Sequence, residues 1–357
     1  MTNKMKFWDR TRSRRWFAAV LAAASLGSYL SSSDGRAADG IEQPKVEMAA
    51  VRDTQLGAQV AIADALGFFK DEGLDMTVHW TTSGADIITF MAGGATYLAA
   101  GGGFNGIVLR TQGAPVKIIA GLADMSGTQG LALAPGIKLS SPKDLEGKKL
   151  AFTQGTPNVL ILSKLAEAYG FDMKKVQLIS MDPPEGAVAA SRGDVQGFLG
   201  FQPHLQRLVS MGGSLYATGT EVNLTGTPEK LSFDKQLIYV NSVLLASQDW
   251  IDKKPNTLKA AIRALLKAND VIANDRPKAV AIMQKLLKLD AQSLNVMMDA
   301  NTYTLAIDDH LARSITFQND WGRSIKRIPS DVAPAQIFEP KLLREIDPKL
   351  VTWSPEK

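Results

Sequence analysis

Short apolar runs alternate with longer stretches of helical period along most of this chain, starting near residue 46. The pattern predicts strands over residues 46–51, 76–81, 97–100 and 116–123. Between them, a helix runs past Phe68 and Phe69 to a stop at Glu72-Gly73, a second covers 85–91, and a third opens at Gly101-Gly102-Gly103-Phe104-Asn105. A second unit begins near Gln129, with extended segments at 131–134, 149–153 and 176–181 and a helix ending at Tyr169-Gly170. Residues 237–246 read as one long strand. The chain then turns helical over 257–273, 278–287, 291–300 and a final set containing Trp321, with Pro334, Pro340 and Pro348 breaking up the tail. Strands alternating with helices imply an α/β architecture with a largely parallel sheet and covering helices.

Residues 182–204, DPPEGAVAASRGDVQGFLGFQPH, are the most legible stretch. Pro183 and Pro184 suit a first helical turn, where a missing N–H costs little, and Glu185 meets the positive helix end there. The helix stops at Gly193, residues 195–199 read as a buried strand, and Gly200 leads into the corner Phe201-Gln202-Pro203. The first unit echoes it. Laying residues 84–102 on 185–201 places Gly94 on Gly193 and, seven residues later, Gly101 on Gly200. Both read as helix, glycine turn, strand and a loop opening a helix, as two similar lobes facing a cleft would.

Composition narrows the chemistry. The chain has no Cys, which removes thiol catalysis, disulfides, Cys-ligated zinc and a lipid-modified N-terminal Cys. His79, His204 and His310 match no metal-ligand spacing, so neither a metal nor a cofactor is expected. At the N-terminus, Lys4, Lys6, Arg10, Arg12, Arg14 and Arg15 precede an apolar run from Trp16 to Leu30 and a Ser-rich segment, which is the form of an export signal over residues 1–37. Ser13-Arg14-Arg15-Trp16-Phe17 fits the twin-arginine pattern, with a general secretory signal as the alternative, and cleavage is expected near Ala37 or Ala38. Residues 1–37 carry seven Lys/Arg and two Asp/Glu, so the formal charge of +4 becomes −1 without them. No basic face for nucleic acid survives, and no second apolar run reaches transmembrane length.

The run 57–103, the phrase Lys143-Asp144-Leu145-Glu146-Gly147-Lys148-Lys149-Leu150-Ala151, the loop Gln154-Gly155-Thr156-Pro157 and the segment 184–203 occur in an order that resembles the substrate-binding proteins of ABC importers for nitrate, sulfonates and taurine. The resemblance covers roughly residues 46–330. It implies a two-lobed type II periplasmic binding fold, each lobe a mostly parallel sheet with flanking helices and the ligand closed between them. On that reading 38–128 is the first part of lobe 1, 129–238 is lobe 2, and 239–357 completes lobe 1 with C-terminal helices. It implies a periplasmic protein, acting as a monomer, that captures a small organic or inorganic anion and delivers it to an ABC permease in the inner membrane. A larger aromatic or heterocyclic acid, an organic cofactor as cargo, and a ligand sensor on the same fold are the alternatives. The thiamine-pyrimidine synthases also look similar, but they add Cys and His chemistry that a chain without Cys lacks, so no enzyme activity is expected.

The candidate ligand groups lie in loops that start helices, where N–H groups and about half a positive charge favour an anion without burying a lysine. They are Asp53, Thr54 and Gln55; Thr82, Ser83 and Gly84; Gly102, Gly103 and Phe104; and Gln154 with Thr156. All follow strands, at the carboxyl edge where open α/β sheets bind ligands. The alternative for each Ser or Thr is that it caps its own helix. Trp80, Phe104 and Phe201 stand beside these loops, either to stack on a flat ligand or to pack in the core. Similar proteins often carry Trp-Glu-Pro or Trp-Asp-Pro where this chain has Phe201-Gln202-Pro203, and in the amino-sulfonate binders an acid from this lobe meets the ligand ammonium. Gln202 cannot do so, which leaves Glu185 as the acidic candidate and a neutral amide suited to an anion or an uncharged polar group.

Overall fold

The computed structural model describes residues 40–154 and 156–355. The expected export signal and its cleavage point lie outside the described residues. The chain enters with β1 (Lys45–Val51), α1 (Ala58–Ala65), α2 (Phe68–Asp71), β2 (Asp75–Thr81), α3 (Gly84–Ala92), β3 (Leu98–Gly102), α4 (Gly103–Thr111) and β4 (Val116–Asp124). It continues through β5 (Gln129–Leu133), β6 (Lys149–Phe152), α5 (Val159–Tyr169), β7 (Gln177–Ser180), α6 (Pro183–Arg192), β8 (Gly197–Phe201), α7 (His204–Ser210), β9 (Ser214–Thr218), β10 (Glu221–Val222) and β11 (Glu229–Lys230). It returns as β12 (Asn241–Ser247) and ends in α8 (Gln248–Lys253), α9 (Pro255–Asn274), α10 (Arg276–Leu287), α11 (Ala291–Asp299), β13 (Thr302–Tyr303), α12 (Asp309–Ser324), α13 (Pro334–Ile337) and α14 (Lys341–Ile346).

Among the described residues these strands form two sheets, ordered β13-β4-β12-β3-β1-β2 and β11-β10-β9-β5-β8-β6-β7. Each sheet is mixed. Strands β2, β1 and β3 are parallel, as are β7, β6 and β8, while β12 and β5 run antiparallel to both of their neighbours. The parallel part is therefore three strands in each sheet. A strand inserted from elsewhere in the chain carries no mark of its direction in its own apolar pattern, which is why the sequence reads as more parallel than the fold is.

The repeat seen in the sequence is structural. Strand β3 pairs in parallel with β1 and antiparallel with β12, and β8 pairs the same way with β6 and β5. Gly94 and Gly193 hold φ of 71° and 82°, a left-handed backbone that glycine adopts without a Cβ clash. Gly101 and Gly200 each occupy the fourth position of a five-residue strand. The α6 helix carries Pro183 in its first turn and Glu185 near its positive end, as the sequence implies.

Three expected elements are revised. The first helix breaks at Gly67, whose φ of 74° ends α1 and starts the short α2. The strand expected over 195–199 runs from Gly197 to Phe201. The long strand expected over 237–246 begins only at Asn241. Residues 237–240 are apolar because they are buried where the chain passes between the sheets, Ile238 and Val240 being 0% and 3% exposed. Their backbone bonds go to other crossing segments: Leu237 N–H to Gly219 O at 2.8 Å and Met125 N–H to Val240 O at 2.9 Å.

One apolar core fills the first sheet and its helices, around Met48, Ile62, Ile118, Leu245 and Leu265. Helices α9 and α10 lie on α1 from the C-terminal part of the chain. The second sheet has an apolar cluster around Leu150, Leu162 and Leu199, and another in which Phe198 meets the Ala face of α6 and Leu208. Burying a side chain of this size stabilises the fold by about 1.5–3 kcal/mol. No helix among the described residues is long and apolar enough to cross a membrane.

Candidate functional site

The loop after β1 differs from a bare helix start. Helix α1 begins at Ala58, with Gly57 before it, so Asp53, Thr54 and Gln55 form a turn rather than a first helical turn. The Asp53 carboxylate accepts the N–H groups of Gln55 at 2.9 Å and Leu56 at 2.6 Å, so these donors are engaged within the loop. Asp53 keeps some exposed surface, but its carboxylate is turned in against this backbone. Burial pushes it up to about 6, and the backbone N–H groups only partly offset that rise. A raised value means the folded chain holds the proton more tightly than the unfolded chain. Stability from this group is thus complete below about pH 4 and falls as pH rises towards 6. Asp53→Asn keeps the accepting oxygen and removes the charge. Its urea midpoint is expected to change less between pH 4 and pH 7 than that of the parent.

Gln55 and Gln202, distant in sequence, meet in the fold. Gln55 is 6% exposed and Gln202 4%. Gln55 donates through Nε2 to the Gln202 carbonyl at 3.0 Å, and its Oε1 accepts from Thr128 Oγ1 at 2.6 Å and Gln129 Nε2 at 3.2 Å. The Gln202 side-chain oxygen accepts the Gln206 N–H at 3.0 Å, at the start of α7. These amides therefore tie the end of β1 to the ends of β5 and β8. Thr54 is 3% exposed, and its carbonyl takes the Tyr303 hydroxyl at 2.6 Å.

The starts of α3 and α4 stand side by side, since a Cβ on Gly84 would lie 2.7 Å from Asn105 Nδ2. Ser83 caps α3 in a capping box, with Asp86 accepting the N–H groups of Thr82 at 3.2 Å and Ser83 at 3.1 Å. The Ser83 hydroxyl and these N–H groups hold the Asp86 carboxyl below its usual range. For Ser83 capping is thus the observed role, while Thr82 stays exposed. Gly102 N–H donates to Asn105 Oδ1 at 2.8 Å, and Gly103 is buried under Ile315.

Two of the aromatic candidates pack within the protein. Phe104 lies 4.9 Å from the Trp321 ring, against Gly322, and Trp80 covers Gly57 at the edge of the first core. Phe201, half-buried at the end of β8, meets His204 edge-on at 5.7 Å. In the second lobe, Gln154 is exposed and Thr156 Oγ1 donates to Thr153 O at 2.8 Å. Glu185 is exposed on the first turn of α6.

Asn158 is not among the ligand groups that the sequence singles out. It is 0% exposed at the start of α5, yet among the described residues neither its Oδ1 nor its Nδ2 has a partner, and the Thr153 hydroxyl in the same loop is also buried without one. A buried amide left unpaired costs about 1–3 kcal/mol. Asparagine directly before an apolar helical run was the available signal. Asn105 stands against Gly84, which lies in another element, so its place is set by the fold rather than by its neighbours in the chain.

Comparison with known proteins agrees with this architecture. A family model described as NMT1/THI5 like matches residues 57–279. The taurine-binding periplasmic protein of Escherichia coli (strain K12) is 24% identical over 254 residues, covering 69% of this chain and 74% of that protein. The formylaminopyrimidine-binding protein of Halalkalibacterium halodurans is 25% identical over 242 residues, 68% of this chain and 69% of that one. The crystal structure of the aliphatic sulphonate binding protein SsuA from Escherichia coli superposes with a TM-score of 0.69 at 16% identity, covering 84% of this chain and 93% of that chain. With two repeated α/β lobes and polar loops at their sheet edges, the chain belongs to the NMT1/THI5-like family and has the two-lobed type II periplasmic binding fold.

Proposed function

We propose that this protein is an exported solute-binding protein that captures a small anion of the sulfonate class and delivers it to an ABC permease. The observation that carries the reading is the sheet edge itself. In each lobe the carboxyl ends of the parallel strands open into polar loops and helix starts. The buried, unpartnered Asn158 amide supplies a donor and an acceptor at one of those starts. Helix N-termini and a neutral amide suit an anion, and the relatives that bind taurine and sulphonate are consistent with it. No residue of the site is assigned a step of bond chemistry. Binding acts by closure: a ligand touching both lobes stabilises the closed state by its differential affinity, and that state docks on the permease.

The neutral Gln202 argues against a ligand whose recognition needs an ammonium partner at that position, and the likeness to a formylaminopyrimidine binder keeps a heterocyclic ligand as the second reading. A thermal-shift screen of sulfonates, nitrate, amides and aromatic acids separates the two. A bound solute at one hundred times its Kd is expected to stabilise the protein by about 2.7 kcal/mol. Thr82→Trp, Thr156→Trp and Asn158→Leu are each expected to remove that ligand-induced shift. Asn158→Leu should also leave the ligand-free melting temperature unchanged or higher, because it replaces an unpaired buried amide with an apolar group. A full ligand-induced shift retained in all three variants overturns the site.

A further inference from the structure

We propose that the contact between Asp124 and His310 is a proton-sensitive latch on the crossover between the lobes, holding their relative arrangement more firmly in acid than in alkali. The proposal rests on reading the two lobes as a closing clamp. Asp124, 9% exposed, ends β4 where the chain leaves the first sheet for the second. One carboxylate oxygen, Oδ1, accepts the Ser126 N–H at 2.9 Å and the Ser126 hydroxyl at 2.6 Å. Ser126 Oγ in turn accepts the N–H of Val240 at 3.1 Å, on the returning crossover. Ser126 O and Gln129 O both accept the Gly219 N–H. Through Ser126, Asp124 is thereby linked to the returning segment at Val240 and to Gly219.

Its other oxygen, Oδ2, faces His310 Nε2 at 3.2 Å. His310 sits on the first turn of α12, which packs on α4 and β12 of the first lobe. The imidazole is not a surface group that happens to lie near an acid. It stacks on Phe233 with ring centroids 4.5 Å apart and lies edge-on to Tyr239. Arg313, one turn further on, covers the same two rings at 5.0 and 4.6 Å. Phe233 and Tyr239 belong to the segment that leads into β12, so the latch joins α12, the outgoing crossover and the returning one.

The charged groups around His310 are of both signs. Asp124 comes from β4, Asp308 and Arg313 from α12 and its cap, and Tyr239 from the returning segment, with Asp234 of that segment acting on Arg313 and Tyr239. The Asp308 carboxylate is already used to cap Leu311 at 2.8 Å, and the Tyr239 hydroxyl donates to Phe233 O at 2.6 Å. Burial opposes the imidazolium and Arg313 repels it, but the hydrogen bond and charge of Asp124, with Asp308 behind it, outweigh both and raise His310 above its usual 6.5. The sign follows. The charged latch is complete below pH 6.5 and is lost as pH rises through the higher folded-state value.

The absence of Cys makes the test direct. Lys70 on the first lobe and Lys174 on the second are both exposed, so a Lys70→Cys, Lys174→Cys chain can carry a donor and an acceptor dye. Time-resolved energy transfer without ligand is expected to give a narrower spread of interlobe distances at pH 5.5 than at pH 8.5, with the change centred above pH 6.5. His310→Gln, which keeps a donor but cannot charge, is expected to remove that pH response. A flat response in the parent, or the same response in His310→Gln, overturns the latch. If His310→Gln does not fold, proton NMR titration of His310 in the unaltered chain decides instead: a midpoint above 6.5 supports the latch and one at or below it overturns it. A pH-dependent distance in a protein that no solute stabilises overturns the transport reading and leaves the latch standing.

Discussion

Gly200→Ala is expected to lower stability by about 3 kcal/mol, read as a fall in the urea midpoint with an unchanged slope. A Cβ at this position would lie 2.1 Å from Phe198 Cζ and 2.3 Å from Cε1. The ring cannot swing away, since it is 0% exposed and its other edge lies where a Cβ on Gly186 of α6 would come within 2.7 Å. The ring is therefore held between two glycines, one on β8 and one on the helix that covers it. Either α6 lifts from the sheet or the strand shifts, and a shift moves Phe201 and Gln202, the next residues along. Pairing the change with Phe198→Leu is expected to recover part of the loss, because the smaller side chain gives the new methyl room. Equal losses in the single and double variants would count against this account.

Gln55 is the second position where a single change should be costly. Gln55→Leu keeps the volume but strips three hydrogen bonds at once and leaves the buried Gln202 carbonyl without its donor. The expected loss is about 2–3 kcal/mol. Gln55→Glu is expected to cost more at pH 7, since a carboxylate there would face the Gln202 carbonyl oxygen with no proton between them. Acid should reverse that excess. A carboxyl in this setting is raised above its ordinary value, so its folded-state stability is recovered as pH falls and the protonated group can donate to Gln202. Thermal unfolding of the three proteins at pH 4.5 and 7 checks the ordering, and a Glu variant equal to Leu at both values would refute it.

Much of the architecture was legible because it is written in local chemistry. The glycines at 94 and 193 mark left-handed turns, and the seven-residue step to Gly101 and Gly200 carries the repeat into the strands. Pro183 and Pro184 mark the start of α6. The candidate site was legible only in part. Ser83 belongs to a capping box, and the sequence offers Asp86 three residues later as the sign of it. Thr54 and Gln55 look like helix-start donors, yet the Asp53 carboxylate already holds the Gln55 and Leu56 N–H groups, and the carbonyl of Thr54 and side chain of Gln55 find their partners in Tyr303, in Thr128 and Gln129, and in Gln202 just after β8.

The strands at Ser214–Thr218, Glu221–Val222, Glu229–Lys230 and Thr302–Tyr303 came only from the fold. By itself the sequence determined the alternation of strands and helices up to the corner at Phe201, the repeat, the lack of thiol chemistry and the polar character of the loops at the sheet edge. Each of these depends on residues close together in the chain, where period, turn chemistry and residue type suffice. The tertiary structure alone decided which polar groups pair with one another across the chain. Gln55 and Gln202 are 147 residues apart, and Val240 meets Ser126 across 114. A sequence shows that an amide has a donor and an acceptor to satisfy. Which partner satisfies them depends on distances that exist only once the two lobes are packed, and that packing joined Gln55 to Gln202 and brought a lone histidine to the crossover between the lobes.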